Sequence, residues 1–395
     1  MGQPVRKIIQ ESHPDVNVKP FYTLLIDGNN ILFQSFADKK TNSNGEHYGA
    51  VFQFLLQLRM MIQKRSFDYV YVFFDDEDSG MLRFQLYNAY KANRDKKYAE
   101  HLYLSDYGMA VESKLKAWKE KYASKKSNTS AKDEKDAIVD ENFARERDIL
   151  LNYFNELYIR WIFNDKTEGD DLISYYVNHK KPEEMIYIMS SDEDLTQLIR
   201  KNVCIYNQRL KKYYHDGNFK QEKGYPVENV LIKKIFCGDT SDNIGNIKGL
   251  SESRLEELMP EFKTRPITVE EVKARAQKLI DERVAENKKP LKWHENIVNG
   301  VSNKEYDGDF YEINRKIIDL NHPLLTADAE EELVGMMYTP QDPDGRSFEN
   351  LYAMVKQDGI DEIKDSTRFA TFFAPFKNLA DKEIRRYEEI YGNPK

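Results

Sequence analysis

The chain has 395 residues, 32% of them charged and 12% aromatic, with a formal net charge of −8. It contains no run of about 18 apolar residues, which excludes a helical membrane span, and its polar opening "MGQPVRKIIQESHPDVNVKP" lacks the apolar core of a secretory signal, so a cytoplasmic protein is expected. Cys204 and Cys237 are the only cysteines and have no Cys or His neighbours at zinc spacing, which argues for a reducing compartment and against a disulfide or zinc framework.

In chain order, residues 1–20 are expected to form a loose extension. From 21 the pattern alternates: "FYTLLID" as a strand, a helix over about 47–64, "DYVYVFFD" as a strand, a long charged helical stretch, "YIRWIFN" as a strand, "DDLISYYVNHK" as a helix and "EMIYIMS" as a strand. Strands nearly continuous in Val, Ile, Leu, Tyr and Phe and separated by helices predict an α/β fold, with a mostly parallel central sheet flanked by helices on both faces. Ligands then sit at the carboxyl ends of the strands. Residues 83–126 carry eleven Lys/Arg against five Asp/Glu, a local balance of +6 in an acidic protein. Residues 95–150 have little to bury and read as a lid or arch that orders on binding. Past about 225 the strand signals fade, and "VENVLIKKIF", "ESRLEELM", "VEEVKARAQKLIDERVAEN" and "FYEINRKIIDL" have helical periodicity. The expected divisions are an α/β core over 21–225 that includes a helical arch over 83–150, a helical region over 226–325, and a helical C-terminal extension over 326–395.

Each predicted strand releases acid at its carboxyl end or just beyond: Asp27 after the first, Asp75 and Asp76 after the second, Glu168, Asp170 and Asp171 after the third, Asp192 and Asp194 after the fourth. Singly, each group has a structural explanation. Asp27 before Gly28 suits a turn, and Thr167-Glu168-Gly169-Asp170 and Ser191-Asp192-Glu193-Asp194 suit capping boxes. Together they do not. Two like charges about 4 Å apart repel by about 4 kcal/mol at an effective dielectric of about 20, against about 1 kcal/mol for one cap. Hard oxygen ligands without His or Cys suit Mg²⁺ or Mn²⁺, and a cluster this large implies two ions, the arrangement that hydrolyses phosphodiesters. In the helical half, Asp239 and Asp242 are three apart, so on one turn of helix they would point the same way. The Gly-interrupted "NIGNIKGL" that follows predicts a tight turn between helices, able to offer Lys248 and the backbone at Gly249 to a phosphate chain.

"LLIDGNN", "FFDDEDSGMLRFQLYNAYKANRDKK", "TEGDDLI", "MSSDEDLTQL" and "GDTSDNI", taken in this order, resemble the motif blocks of the flap-endonuclease (5′-nuclease) family, and "NRKIIDLNHP" makes the chain most similar to the type called phage RNase H or 5′-to-3′ exonuclease. The resemblance implies a mixed α/β nuclease core of PIN/FEN-like type, a helical arch and a helix-hairpin-helix-type DNA-binding region. Carried over by motif, it implies metal carboxylates at Asp27, Asp76, Glu168, Asp170, Asp171, Asp192, Asp194 and Asp239, with Asp242 in an outer shell. Asp76 is preferred to Asp75 because the family places this Asp seven residues before an Arg, here Arg83. Tyr90, Lys91 and Arg94 fall in the arch-base block, whose Lys and Arg contact the scissile phosphate; three apart on a helix, Lys91 and Arg94 would clamp a phosphoryl group. The stretch after "GDTSDNI" departs from the family: Ser251 and Ser253 stand where a second Gly and a Lys are usual, which bears on any monovalent-ion hairpin and its duplex grip.

The expected activity is two-metal, Mg²⁺-dependent cleavage, with Mn²⁺ able to substitute, of DNA or RNA/DNA hybrids bearing 5′ flaps or ends, removing RNA primers or flaps in replication. Catalysis is assigned to Asp76, Lys91, Arg94 and Asp192, and nucleic-acid contacts to Arg83, Tyr90, Lys91, Arg94, Lys248 and Gly249. A monomer is expected, in the host cytoplasm if phage-encoded, with single-stranded-DNA-binding protein or a sliding clamp as protein partners. "STRFATFFAPF" at 366–376 has a faint likeness to a clamp-binding peptide but reads better as an apolar helix face. The rival readings are a catalytically silent DNA-binding accessory protein and a PIN-like ribonuclease.

Overall fold

A computed structural model of the protein describes residues 19–76, 78–92 and 130–392, with side chains from 141 onward in the helix that opens at Ser130. Residues 1–18 of the expected extension and 93–129 of the expected arch, Arg94 included, lie outside the described residues.

Six strands, β1 (Phe21–Asp27), β2 (Tyr69–Asp75), β3 (Arg160–Asn164), β4 (Glu184–Met189), β5 (Val203–Asn207) and β6 (Lys212–Tyr214), form one sheet in the order β3-β2-β1-β4-β5-β6. Neighbours are parallel through β5, and β6 closes the edge antiparallel. The described helices are α1 (Gly28–Ser35), α2 (Gly49–Lys64), α3 (Met81–Leu86), α4 (Ser130–Glu156), α5 (Gly169–Asn178), α6 (Phe219–Lys223), α7 (Asn229–Cys237), α8 (Glu252–Leu258), α9 (Val269–Ala285), α10 (Lys292–Asn299), α11 (Phe310–Ile318), α12 (Ala327–Met336), α13 (Phe348–Asp358) and α14 (Ser366–Tyr391).

The two faces of the sheet explain the unbroken apolar strands. Side chains alternate along a strand, so in β2 Tyr69, Tyr71 and Phe73 enter one core while Val70, Val72 and Phe74 enter the other. The first core is closed by α5 and by helices of the second half of the chain, with Leu172 and Tyr176 packing beside Ile235, Val272 and Leu333. The second is closed by α2, the end of α4, α13 and α14, through Phe54, Phe154, Leu351 and Phe373. Each such side chain, fully buried, stabilises the fold by about 1.5–3 kcal/mol relative to exposure.

The C-terminal helices are therefore structural layers of the same body. Phe369, Phe372, Phe373 and Phe376 of α14 are all buried, so the aromatic residues suggestive of a clamp-binding peptide are turned inward. Glu383 on the same helix is fully buried, pairs with Arg160 of β3 and Arg386, and accepts from the Gln341 backbone N–H at 3.0 Å. Among the described residues, no helix is long and apolar enough to cross a membrane.

Candidate functional site

The sheet changes direction of growth between β1 and β4: from β1 the chain steps to β2 on one side and returns to β4 on the other. At such a point the connections leave the sheet on opposite faces and open a crevice at the strand ends. A cavity of about 510 Å³ lies there, lined by Asp27, Asp75, Glu168, Asp170, Asp192, Asp194 and Asp242 among others. Asp27 ends β1 and caps α1, accepting from Asn30 N at 3.1 Å and from Ser190 Oγ at 2.7 Å. Asp192 and Asp194 follow β4, joined by the Asp194 backbone N–H donating to Asp192 Oδ1 at 2.8 Å. Oxygens of Asp194, Asp239 and Asp242 lie within 4.8 Å of one another, which brings the acids of the helical half to those of the sheet.

The structure places several of the residues singled out in the sequence in different surroundings. Asp75, not Asp76, lines the cavity. It is the last residue of β2, and its Oδ1 accepts from Gly169 N at 2.6 Å, whereas Asp76 falls beyond the strand. Asp171 is fully buried outside the cavity lining, gripped by both terminal nitrogens of Arg83 and by Leu324 N at 3.0 Å. Consecutive helical residues point about 100° apart, and of this pair Asp170 is the one that lines the cavity. Arg83 lines the cavity but is only 5% exposed, and it also binds Glu168 at 2.6 Å and the Ile317 carbonyl at 2.8 Å. The capping boxes that would have explained these acids singly do not form: Glu168 is the N-cap of α5 without a side-chain capping bond, and the stretch after β4 makes a short 3₁₀ turn over Asp194–Leu198. Asp239 and Asp242 sit on a loop, not a helix, closed by Ile244 N donating to Asp239 O at 2.7 Å. Lys91 has φ +53, a left-handed conformation.

The electrostatics follow from burial and crowding. Burial, and then Asp192 and Asp75, push Asp27 up from 3.8 to about 7 against the hydrogen bond from Ser190. Burial and the charges of Asp27, Asp192, Asp75 and Asp194 push Asp170 well above the ordinary range. Asp194 is raised to about 7 by burial, in spite of Lys234. Glu168 behaves oppositely. Burial alone would raise it, but Lys91, Arg83 and the Tyr90 hydroxyl at 3.0 Å hold it at about 2. Asp239 is likewise held at about 2, burial being overcome by Lys234 and Ser241.

Lys234 escaped the sequence reading. Its Nζ binds Asp194 and, at 2.7 Å, Asp239, so an ammonium lies where the two acidic groups meet. The available signal was a lysine five residues before Asp239 on a predicted helix. Phe33, 70% exposed at the cavity wall, was also missed. Lys248 and Gly249 lie on an exposed turn outside the cavity lining, held by Lys248 N to Val301 O at 2.9 Å and by Asn296 Nδ2 to Lys248 O at 2.7 Å, with Gly249 at φ +84. Tyr90 and Lys91 line the cavity and both reach Glu168.

Comparison with known proteins agrees with this geometry. A bacteriophage T5 flap endonuclease, solved in a pseudo-enzyme-product complex with DNA and metal ions, shares the fold with a TM-score of 0.53 and 16% identity, over 92% of this chain and 99% of that one. A curated 5′-3′ exonuclease of Mycoplasmopsis pulmonis is 38% identical over 98 residues, 25% of this chain and 33% of that protein. A DNA polymerase I of Caldicellulosiruptor bescii is 26% identical over 248 residues, 60% of this chain and 24% of the polymerase. The chain thus spans a third or less of the length of these two curated relatives. Residues 22–224, which hold all of the sheet but Phe21 at the start of β1 and most of the cavity's carboxylates, match the family described as 5′-3′ exonuclease, N-terminal resolvase-like domain, and the chain belongs to that 5′-nuclease family.

Proposed function

We propose that the protein is a structure-specific 5′ nuclease, hydrolysing phosphodiester bonds in DNA or RNA/DNA hybrids with 5′ flaps or ends. The observation that carries this reading is the cavity in which carboxylates from four strand ends and from the Asp239–Asp242 loop converge, with Asp27 and Asp194 raised to about 7. That donor set is all oxygen and strongly repulsive, and in the loop-side group a lysine ammonium already stands among the acids. Both features fit Mg²⁺ or Mn²⁺ as the resident cofactor. Asp27, Asp75, Asp170 and Asp192 would hold one ion, and Asp194, Asp239 and Asp242 a second. Bound divalent cations would supply positive charge for the attacking and leaving oxygens of a phosphodiester.

The chain's own residues do the rest. Lys91, 8% exposed and held by Glu168, puts a fixed positive charge at the cavity wall, where charge develops on a phosphoryl group. Arg83 keeps Glu168 ionised and Asp171 out of the cavity, so the two adjacent acids of α5 take different duties. DNA as the ligand is supported by the complex in which the T5 flap endonuclease was solved, and a part in removing RNA primers or flaps during replication belongs to the same reading.

The test is a 5′-end-labelled flap incubated with and without Mg²⁺, beside a single-stranded RNA, reading product length. Metal-dependent cutting near the flap junction is expected. Binding of the flap without cutting would favour a silent accessory protein, and cutting confined to the RNA would favour a PIN-like ribonuclease; either overturns the proposal.

A further inference from the structure

The short segment 87–92 and the loop 239–244 come from opposite halves of the chain, yet they are fastened together through Asp242 and, by its side chain, through Asn243. Asn243 is 8% exposed and sits at φ +59, a left-handed corner that Asn tolerates better than most residues. Its amide works at both ends: Nδ2 donates to the Ala89 carbonyl at 2.6 Å, and Oδ1 accepts from Lys304 Nζ at 2.7 Å. Its own carbonyl accepts from the Tyr87 hydroxyl at 3.2 Å. One residue back, the Asp242 carbonyl accepts from Lys91 N at 2.8 Å. Lys91 is itself in a left-handed conformation, which is strained for a residue with a side chain and persists only where surrounding contacts over-determine it.

We propose that Asn243 is a positioning residue, whose side-chain amide fastens the segment carrying Tyr90 and Lys91 to the loop carrying Asp239 and Asp242, so that the cationic wall and the second acidic group keep one spacing. The proposal rests on the nuclease reading above. Its physical basis is distance: Ala89 is two residues from Lys91, and a shift of about 1 Å in a group facing the reacting atoms can cost about 10²-fold in rate. Lys304 extends the joint to the stretch around Ser302, which bridges Ile247 next to the exposed Lys248–Gly249 turn.

The experiment is a double-mutant cycle in single-turnover cleavage of a labelled 5′ flap with Mg²⁺, using wild type, Asn243→Gly, Lys91→Ala and the double variant of the full chain, each also melted thermally. Glycine keeps the positive φ and removes only the amide. Asn243→Asp keeps the corner and the bond to Lys304 but turns an acceptor on the Ala89 carbonyl, so it serves as a second variant if Asn243→Gly fails to melt cooperatively; Lys304→Gln, at an exposed lysine, breaks the other end without touching the corner. Each position-243 variant is expected to lower the cleavage rate constant about 10- to 100-fold, with flap binding nearly unchanged and a smaller loss for Lys304→Gln. In the Lys91→Ala background, Asn243→Gly should cost no more than about two-fold. Wild-type rates in the position-243 variants, or a loss that multiplies in full with that of Lys91→Ala, would overturn the positioning role. Wild-type cutting by Lys91→Ala alone would instead sink the site reading on which the proposal stands.

Discussion

Replacing Asp27 by Asn should stabilise the metal-free protein, and more so as the pH rises. A carboxyl lifted from 3.8 to about 7 is harder to ionise in the folded protein than in the unfolded chain by about 4 kcal/mol. Because the folded state holds this proton more tightly, the penalty is absent at low pH, grows as pH rises from about 4, and is complete above about 7. Asparagine mimics the protonated acid and still caps α1, since Asn and Asp cap equally well. Any rearrangement of the Ser190 hydrogen bond adds a constant offset, so the diagnostic is the change with pH. Between about pH 4.5 and 8 the variant's advantage should grow by about 3 kcal/mol, which at about 2.1 cal/mol/K per residue over 395 residues is about 4 °C in Tm. The assay is thermal unfolding in chelator at both pH values, repeated at the higher pH with Mg²⁺. The added metal should raise the Tm of the wild type more than that of the variant. An advantage that stays flat with pH, or a Mg²⁺ effect that survives the substitution undiminished, would refute the crowding argument. Glu168 and Asp239, held at about 2, act in the opposite sense: their contribution is full above the ordinary carboxylate range and is lost as pH falls toward 2.

Asp75→Asn should lower Mg²⁺-dependent flap cleavage by at least about 10²-fold, while Asp76→Asn should leave it close to wild type; the two rates measured side by side decide which acid of the pair serves the cavity, and the reverse order would reinstate Asp76. Arg83→Met removes the cation between Glu168 and Asp171 and should destabilise the fold by about 3–5 kcal/mol, read as a lowered midpoint in urea. A wild-type midpoint would mean the buried pair is not what holds α3 against α5.

Much of the fold was legible because its signals are local. Four of the strands are long, apolar runs flanked by helical periods, and they lie within one or two residues of their expected bounds. The strands that went unread break the alternation of strand and helix: β5 follows β4 after only the 3₁₀ turn at Asp194–Leu198, and β6 has three residues, too few to establish a period. The acids at strand ends were legible for the same reason: a parallel sheet puts the carboxyl ends of its strands along one edge, whatever the loops between them do. Residue-by-residue duties were less accessible. Asp75 and Asp76 differ by one position, and only the end of β2 separates them. Asp170 and Asp171 differ by about 100° around a helix, and only the arrival of Arg83 from another element shows which one is removed from the cavity.

By its own pattern, then, the amino-acid order determined the parallel α/β core, the edge on which negative charge collects, and the kind of cation such charge calls for, because periodicity and strand direction are properties of short stretches. Tertiary structure alone decided that Lys234 bridges Asp194 and Asp239, that Asn243 joins the segment at 87–92 to the Asp239–Asp242 loop, and that the phenylalanines of α14 close a core. Each of these depends on which distant segment arrives within hydrogen-bonding or packing distance, and that is set by the packing of the whole chain.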